Sequence, residues 1–534
     1  MRAEDGATFG IPCHLRLGYS GLMTPATHSA TTARAAAQVG SLTLLSRVLG
    51  FARDAAMAHV LGGGLMADAF FVAFRVPNFL RRLLGEGALS VAFVPVLAGA
   101  RLARGEASAQ ALAARVALYL ALVVGGLCVL GSVFALPLVT LLAPGLGGDA
   151  AAATLATAAG LLKVCLPYGL CACLAGLVMG MWNSRGTFAL PALGPVLFNM
   201  VLLGGAGLAA AGRGDAAWVL AWAVLLGGVA HCLLTGWPLR GELVRGLRAP
   251  ADPDTWPCLR RLPGGVFGAS VHQINVLTST FFASLLAEGS ITALYYAERL
   301  IEFPLGVFGA AVGTATLPAL AMLFAARREE AFAQEMGRSL RLALCLNLPA
   351  AAGLVAVAEP LVQVLFGHGA FDGRAVAATV QALAGYAVGL PAFAVARLLL
   401  GACHARRDAR TPVLAGICSV VAAPVAGALL LGPLGVAGPP LGASMASWGN
   451  VALLWFGLHR AGVRLQLPLG SLCWQVAGSG LVLWTARWAV DFFGSGAMAL
   501  AGGVVAGVVA YGVVALLVGR KDMRMMLEGL RRNR

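Results

Sequence analysis

Two apolar stretches near the start of the chain carry more charge than lipid-facing sequence tolerates. Ser46–Asp54 reads SRVLGFARD, and Ala67–Glu86 reads ADAFFVAFRVPNFLRRLLGE. They hold Arg47, Arg53, Asp54, Asp68, Arg75, Arg81, Arg82 and Glu86. The segment YYAERLIEF at 295–303 adds Glu298, Arg299 and Glu302, and Arg397 sits in a further apolar run. An Arg at the centre of a bilayer costs about 2.5–3.5 kcal/mol even on insertion scales, so these groups must face a water-filled cavity or acidic partners. The cluster holds more Arg than carboxylate, and the surplus positive charge calls for an anion. Arg suits phosphate best, because its planar fork donates two hydrogen bonds at once. Arg47 and Asp54 are seven apart and nearly share a helix face; Arg82 and Glu86 are four apart and can pair. The plainer reading, intramembrane ion pairs or snorkelling end residues, applies to Arg75, Arg82 and Arg397 before the others. Pro77 removes a backbone hydrogen bond mid-helix and predicts a break or kink. With Asn78 beside it, that break is either an ordinary bend or a place where backbone donors meet a ligand.

Other chemistry is missing. The sequence has no nucleophile elbow, no P-loop, no H-E-x-x-H and no extramembrane pair of acids. The eleven Cys are scattered without a C-x-x-C pair, and the eight His are dispersed. Neither a metal site nor a disulfide framework is readable, no cofactor is implied, and the chain does not read as an enzyme. The formal charge of +15 comes almost wholly from Arg in short loops and the tail. Membrane orientation explains it, and nucleic acid is not an expected partner, because no aromatic-basic stripe accompanies the charge.

The elements that must position these residues are membrane helices. Of 534 residues 59% are hydrophobic and 11% charged, with mean hydropathy +0.84; a soluble chain is about a quarter charged. Apolar windows give fourteen candidate spans, near 36–60, 66–98, 108–142, 151–183, 187–211, 216–238, 262–287, 291–324, 333–366, 375–403, 411–432, 437–458, 471–490 and 497–518. Basic residues then alternate between loops. Twenty-one of them, including Arg101, Arg104, Arg185, Arg245, Arg406 and the tail, fall on one side, against Arg213 and Arg374 on the other. The positive-inside rule puts the even-numbered loops and both termini in the cytoplasm. Residues 1–35 form an N-terminal extension without a signal-peptide pattern, and Met23 is an alternative start.

The two halves resemble each other at an offset near 222 residues. Pro95 matches Pro318, Arg115 matches Arg338, Leu136-Pro-Leu-Val139 matches Glu359-Pro-Leu-Val362, and Gly180, Arg185 and Pro191 match Gly401, Arg406 and Pro412. Phe70-Phe71 matches Tyr295-Tyr296 at a slightly larger offset. The expected fold is therefore an all-α polytopic membrane protein with fourteen transmembrane helices, as two parallel six-helix repeats plus a C-terminal helix pair. The repeats are an N-lobe at 36–240 and a C-lobe at 262–460, joined by a cytoplasmic linker at 241–261. The extra pair occupies 461–518, and a basic cytoplasmic tail occupies 519–534. Six spans per repeat insert both copies the same way up, with a substrate site between them. That arrangement argues for alternating access.

These segments resemble the MurJ/MviN family of lipid II flippases, within the multidrug/oligosaccharidyl-lipid/polysaccharide exporter superfamily. The resemblance rests on SRVLGFARD, DAFFVAFRVPNFLRRLLGEGALSVAFVPVL, WNSRGTFALPALGPVLFN, LAWAVLLGGV, YYAERLIEFPLGVFGAAVGTATLPAL and RRDARTPV, from Ser46 to about Pro412. It implies export of undecaprenyl-diphosphate-linked GlcNAc–MurNAc-pentapeptide across the bacterial cytoplasmic (inner) membrane for cell wall biogenesis. Lipid II, membrane lipids and cell-wall synthesis machinery are the implied partners. Arg47, Arg53, Asp68, Arg81 and Arg299 carry over as central-cavity residues. Arg47, Arg53, Arg81 and Arg299 are assigned with Asn78 to substrate binding; Asp54, Asp68, Arg82, Glu86 and Glu298 are assigned to gating or ion pairing. The C-terminal pair is similar to helices that form a lipid-tail groove. One departure concerns coupling: residues 262–287 and 411–461 contain no Asp or Glu. A carboxylate sodium site is therefore not expected, with Asn275 and Asn450 the neutral candidates. The alternatives are an exporter of the same fold for another polyprenyl-linked glycan or a drug, and a scaffold that transports nothing. A cation exporter would want an acidic cavity, and a scaffold has no use for an Arg-lined one.

Overall fold

The computed structural model describes residues 25–146, 148, 151–250, 252–463 and 469–520. Side chains at 25–37, 39, 86–88, 90, 91, 151, 261, 263–272, 307–315 and 469 lie outside the description. The described residues fold as helices, with no strand among them. In chain order these are α1 (Pro25–Leu61), α2 (Leu65–Leu80), a π-helical turn (Arg81–Ala88), α3 (Leu89–Arg104), α4 (Glu106–Val133), α5 (Ala135–Leu142), α6 (Ala151–Asn183), α7 (Ala189–Ala210), α8 (Ala216–Gly236) and α9 (Arg240–Arg248). The second half contributes α10 (Thr255–Ser284), α11 (Ser290–Ala325), α12 (Glu329–Ala356), α13 (Ala358–Phe366), α14 (Gly373–Ala387), α15 (Leu390–Ala405), α16 (Arg410–Leu434) and α17 (Gly438–Arg460). Helices α18 (Leu469–Phe493) and α19 (Ala497–Leu517) complete the bundle.

At least seven helical stretches are long and apolar enough to cross a bilayer, and the α14–α15 pair, bent by 42°, makes an eighth. Large apolar side chains such as Leu122, Val129, Leu414, Leu429, Val508 and Leu517 stand exposed on them. Such faces are stable against lipid, where only self-satisfied helices or closed barrels can span.

Several expected spans are broken in two. α4 gives way to α5 at Phe134, and α12 gives way to α13 at Val357. The cause is the same at both: Pro137 and Pro360 would clash with the carbonyls four residues back, at Val133 and Ala356, where the first helix of each pair ends. Pro77 behaves otherwise. α2 runs through it, and the disturbance appears downstream as the π-helical turn at Arg81–Ala88. The expected break is thus corrected to a local unwinding, which swings Arg81 and Arg82 out of α-helical register.

The loops separate into two ends. At one end Arg-rich connections knit together: Arg101 pairs with Glu106 at 2.7 Å, Arg185 pairs with Glu106 and Glu242, and Arg104 pairs with Asp252 and Asp254. Arg406 reaches Glu329 at 2.8 Å and the carbonyl of Ala461. Asp252 is buried, which opposes ionisation, but hydrogen bonds from Ser108, Arg104 and the Asp254 amide outweigh this and hold its carboxyl below the usual range. At the other end glycines allow the halves to touch. The Ala370 amide donates to the His59 carbonyl at 2.9 Å. Gly289, at φ +84°, lies so close to Gly63 that a Cβ there would strike the Gly63 carbonyl.

An aromatic stack seals this glycine end internally. Phe71 of α2 lies on Tyr295 of α11 with ring centroids 4.0 Å apart and meets Tyr296 edge-on at 5.5 Å. Tyr296 continues to Phe366 at 4.6 Å and Phe371 at 5.4 Å. These rings belong to one buried core that spans both halves.

Candidate functional site

The charged residues converge where α1, α2 and the π-helical turn meet α11. Arg53 donates through Nε and Nη2 to Asp54 Oδ1 at 3.1 and 2.7 Å, and through Nη1 to Asn199 Oδ1 at 2.9 Å. Asn199, on α7, in turn donates to the Ser46 carbonyl at 2.9 Å. Arg53 is thereby fixed on both edges. Asp54 faces the second half, where Tyr295 Oη donates to it at 3.4 Å and Arg299 Nε lies 4.0 Å away.

Glu302 is the bridge between halves. It accepts from Arg82 at 2.8 Å and from Arg299 at 2.7 Å. The pairing of Arg82 with Glu86 expected from their spacing falls on a side chain outside the described residues. Arg82 stands in the π-helical turn of the first half and Glu302 on α11 of the second. Arg299 also stacks over the Tyr295 ring, 5.0 Å from its centroid.

Arg75, Asn78, Arg82, Glu298 and Arg299 line a narrow cavity of about 20 Å³ together with Gln273 of α10. Arg75 donates to the Val276 carbonyl at 3.0 Å, while its Nε and Nη2 are buried without a partner. Arg81 donates to Asn78 Oδ1 at 3.0 Å. Arg47 lies beside this group, its guanidinium against the backbone of Gly306. It has no hydrogen bond or ion pair among the described residues, and neither does the exposed Arg397. Asp54, seven residues on along α1, is by contrast held by Arg53 and Tyr295.

Asp68 sits apart, at the glycine end. Its Oδ2 accepts from the Gly289 amide at 2.8 Å, and its Oδ1 accepts from the Thr292 amide at 2.8 Å and the Thr292 hydroxyl at 2.6 Å. All three partners are donors. The α11 N-terminus is therefore capped by a carboxylate from the other half of the molecule.

Asn199 is the site residue that sequence reasoning missed. Its signal was present: a lone amide in the apolar run PVLFNMVLL must find a partner inside a membrane protein. Asn275 Oδ1 is buried and unpartnered, and no cluster of metal-ligand type occurs among the described residues.

A helical bundle whose halves meet over a charged cavity, closed at one end, has the architecture of a multi-helix membrane transporter. An inward-facing multidrug resistance MATE family transporter of the MOP superfamily matches it with TM-score 0.65 at 18% identity, over 78% of this chain and 94% of that one. A structure of lipid II flippase MurJ in an inward closed conformation matches with TM-score 0.76 at 22% identity, over 91% and 99%. A family model described as lipid II flippase MurJ matches residues 57–511. The probable lipid II flippase MurJ of Vibrio cholerae is 34% identical over 515 residues, covering 92% of this chain and 97% of that protein. The chain belongs to the MurJ family.

Proposed function

We propose that this protein is a lipid II flippase. It carries undecaprenyl-diphosphate-linked peptidoglycan precursor from the inner to the outer leaflet of the bacterial cytoplasmic membrane by alternating access. The activity is transport, with no covalent bond made or broken. The observation that carries the reading, beyond family membership, is the surplus of guanidinium at the junction of the halves. Among the described residues Arg47 and Arg397 have no hydrogen bond or ion pair and Arg75 has two unpartnered donors, whereas Asp54 and Glu302 are each already shared between Arg residues. A diphosphate supplies the missing negative charge and accepts bidentate hydrogen bonds.

In this account Arg47, Arg53, Arg81 and Arg299 hold the diphosphate, with Asn78 contributing an amide. Asp54 and Glu302 keep the Arg groups apart and oriented in the empty carrier. Asp68 closes the glycine end by capping α11, and Arg82 and Glu298 belong to the pairs that exchange when the halves rock. The fourteen spans divide into an N-lobe, a C-lobe and a C-terminal pair. Packing of Phe71 against Tyr295 and Tyr296 supports a repeat axis running between the lobes, since these are matching positions of the two copies. The arginine end is cytoplasmic, as are both termini, and the glycine end faces outward. The closed glycine end therefore corresponds to an inward-directed state.

A drug exporter of the same fold is disfavoured by the sign of the cavity. The test is leaflet accessibility of lipid II in cells depleted of the protein and complemented with this chain. Restored outer-leaflet lipid II supports the reading; accumulation in the inner leaflet despite normal membrane levels of the protein refutes it.

A further inference from the structure

A second cavity, of about 610 Å³, lies away from the Arg cluster, between α13 and the turn joining α18 to α19. Its walls carry both signs of charge: Arg487 on α18, with Asp491 one turn on and Glu359 across from them on α13. Gln363, His368 and Ser495 add neutral polar groups. The lining residue Val490 belongs to a small buried cluster with Ala486 of α18, Ala499 of α19, Ala356 and Val357. The cavity is thus a notch bordered by packed helices.

Its depth is fixed by its neighbours. Trp484, Trp488 and Phe492 are 67%, 60% and 69% exposed on the same helix, and Trp488 stacks on Phe492 at 5.5 Å. Exposed Trp clustered at a helix end marks the level of lipid headgroups. Counting back from the end of α18 at Phe493, about 1.5 Å per residue puts Asp491 about 3 Å deep and Arg487 about 9 Å deep. The headgroup layer is roughly 5–8 Å thick on each side of the hydrocarbon, so Asp491 stands within it and Arg487 at its inner boundary, where a lipid phosphate lies deeper than its amine.

Arg487 and Asp491 touch at 3.3 Å, yet both stay exposed, as does Glu359. Two carboxylates and one guanidinium lining a notch at this depth ask for a partner bearing both signs, with hydrogen-bond donors on its positive part. We propose that the notch binds the headgroup of a zwitterionic phospholipid with a primary amine. The phosphate accepts from Arg487, and the ammonium donates to Glu359 and Asp491. A quaternary ammonium has no N–H to donate, and an anionic headgroup would meet two carboxylates. The inference stands on the membrane reading and is independent of the transported substrate.

The test is native mass spectrometry of the purified full-length protein with an equimolar mixture of phosphatidylethanolamine, phosphatidylcholine and phosphatidylglycerol of matched acyl chains. Phosphatidylethanolamine adducts should exceed phosphatidylcholine adducts about tenfold, the scale of one charge-assisted hydrogen bond. Glu359→Gln with Asp491→Asn should bring that ratio close to one, and Arg487→Gln should weaken phosphatidylethanolamine binding while Arg487→Lys largely keeps it. If the double variant does not fold, Glu359→Gln alone should lower the ratio. A wild-type ratio near one, a preference unchanged in the carboxylate variants, or a stronger preference for phosphatidylglycerol would each overturn the proposal.

Discussion

Charge removal at Arg47, Arg53, Arg81 or Arg299 is expected to abolish complementation of a flippase-depleted strain without lowering membrane levels. Lys at the same positions should restore it only in part, because a point charge cannot reproduce the planar fork. Growth supported by Ala at all four sites would remove these residues from substrate binding. Asn199 gives a sharper test of geometry. Asn199→Ala leaves Arg53 Nη1 and the Ser46 carbonyl without their partner, in a region where an unsatisfied buried group costs about 1–3 kcal/mol. Flipping should fall by roughly tenfold or more while lipid II still binds, since Arg53 remains but is no longer held. The charged residues themselves were legible in the sequence, because ionisable groups in apolar windows stand out. Their partners were not: Arg82 meets Glu302 across 220 positions of chain, and no local spacing rule reaches that far.

At the scale of elements, the glycine end is held shut by contacts that a single methyl group would break. Gly289→Ala combines a positive φ with a collision against Gly63, so this variant should populate states with the glycine end open. Cysteines placed near residue 65 should then label faster from the outside, and transport should fall; unchanged labelling would remove these glycines from closure. Asp68→Asn should act similarly, because an amide cannot present acceptors on both sides to three donors.

The arginine end has a pH signature. The carboxyl of Asp252 is held below its ordinary value by Ser108 and Arg104 against the opposing effect of burial. A depressed folded value means the contribution is complete above the ordinary Asp range near pH 4 and is lost as pH falls through the depressed value. Thermal stability should therefore decline on acidification below about pH 4, and Asp252→Asn should make that decline shallower. The breaks before LPLV and EPLV interrupt spans expected to be continuous over 108–142 and 333–366, although the clash that causes each is local to Pro137 and Pro360. The π-turn after Pro77 was not readable either, because its position depends on how α10 and α6 pack around it.

For the whole molecule, fourteen spans and their orientation were inferred from hydropathy and loop charge, whereas the packing of Phe71 on Tyr295 and Tyr296 was not read from the sequence. What sequence periodicity could not supply is the state of the carrier, which depends on contacts between the halves. The membrane potential is expected to contribute to the driving force. A diphosphate carries roughly two negative charges, each worth about 2.3 kcal/mol per 100 mV of potential. With the interior negative, outward movement of uncompensated anionic charge is downhill, and so is the inward return of the emptied Arg cluster. Export should rise with membrane potential and ignore a sodium gradient. Proton coupling through Asp68, Glu298 or Glu302 is the rival, and independent control of potential and pH gradient separates the two.

The central claim is that this chain by itself moves lipid II between leaflets. The direct measurement reconstitutes the purified full-length protein into vesicles carrying lipid II on one face, with the potential clamped, and follows its arrival on the other. The account predicts translocation that requires the protein, rises with a potential of the right sign, and disappears in Arg53→Ala and Arg299→Ala. Translocation no faster than in protein-free vesicles, from a protein shown to bind lipid II and to be correctly folded, would contradict it.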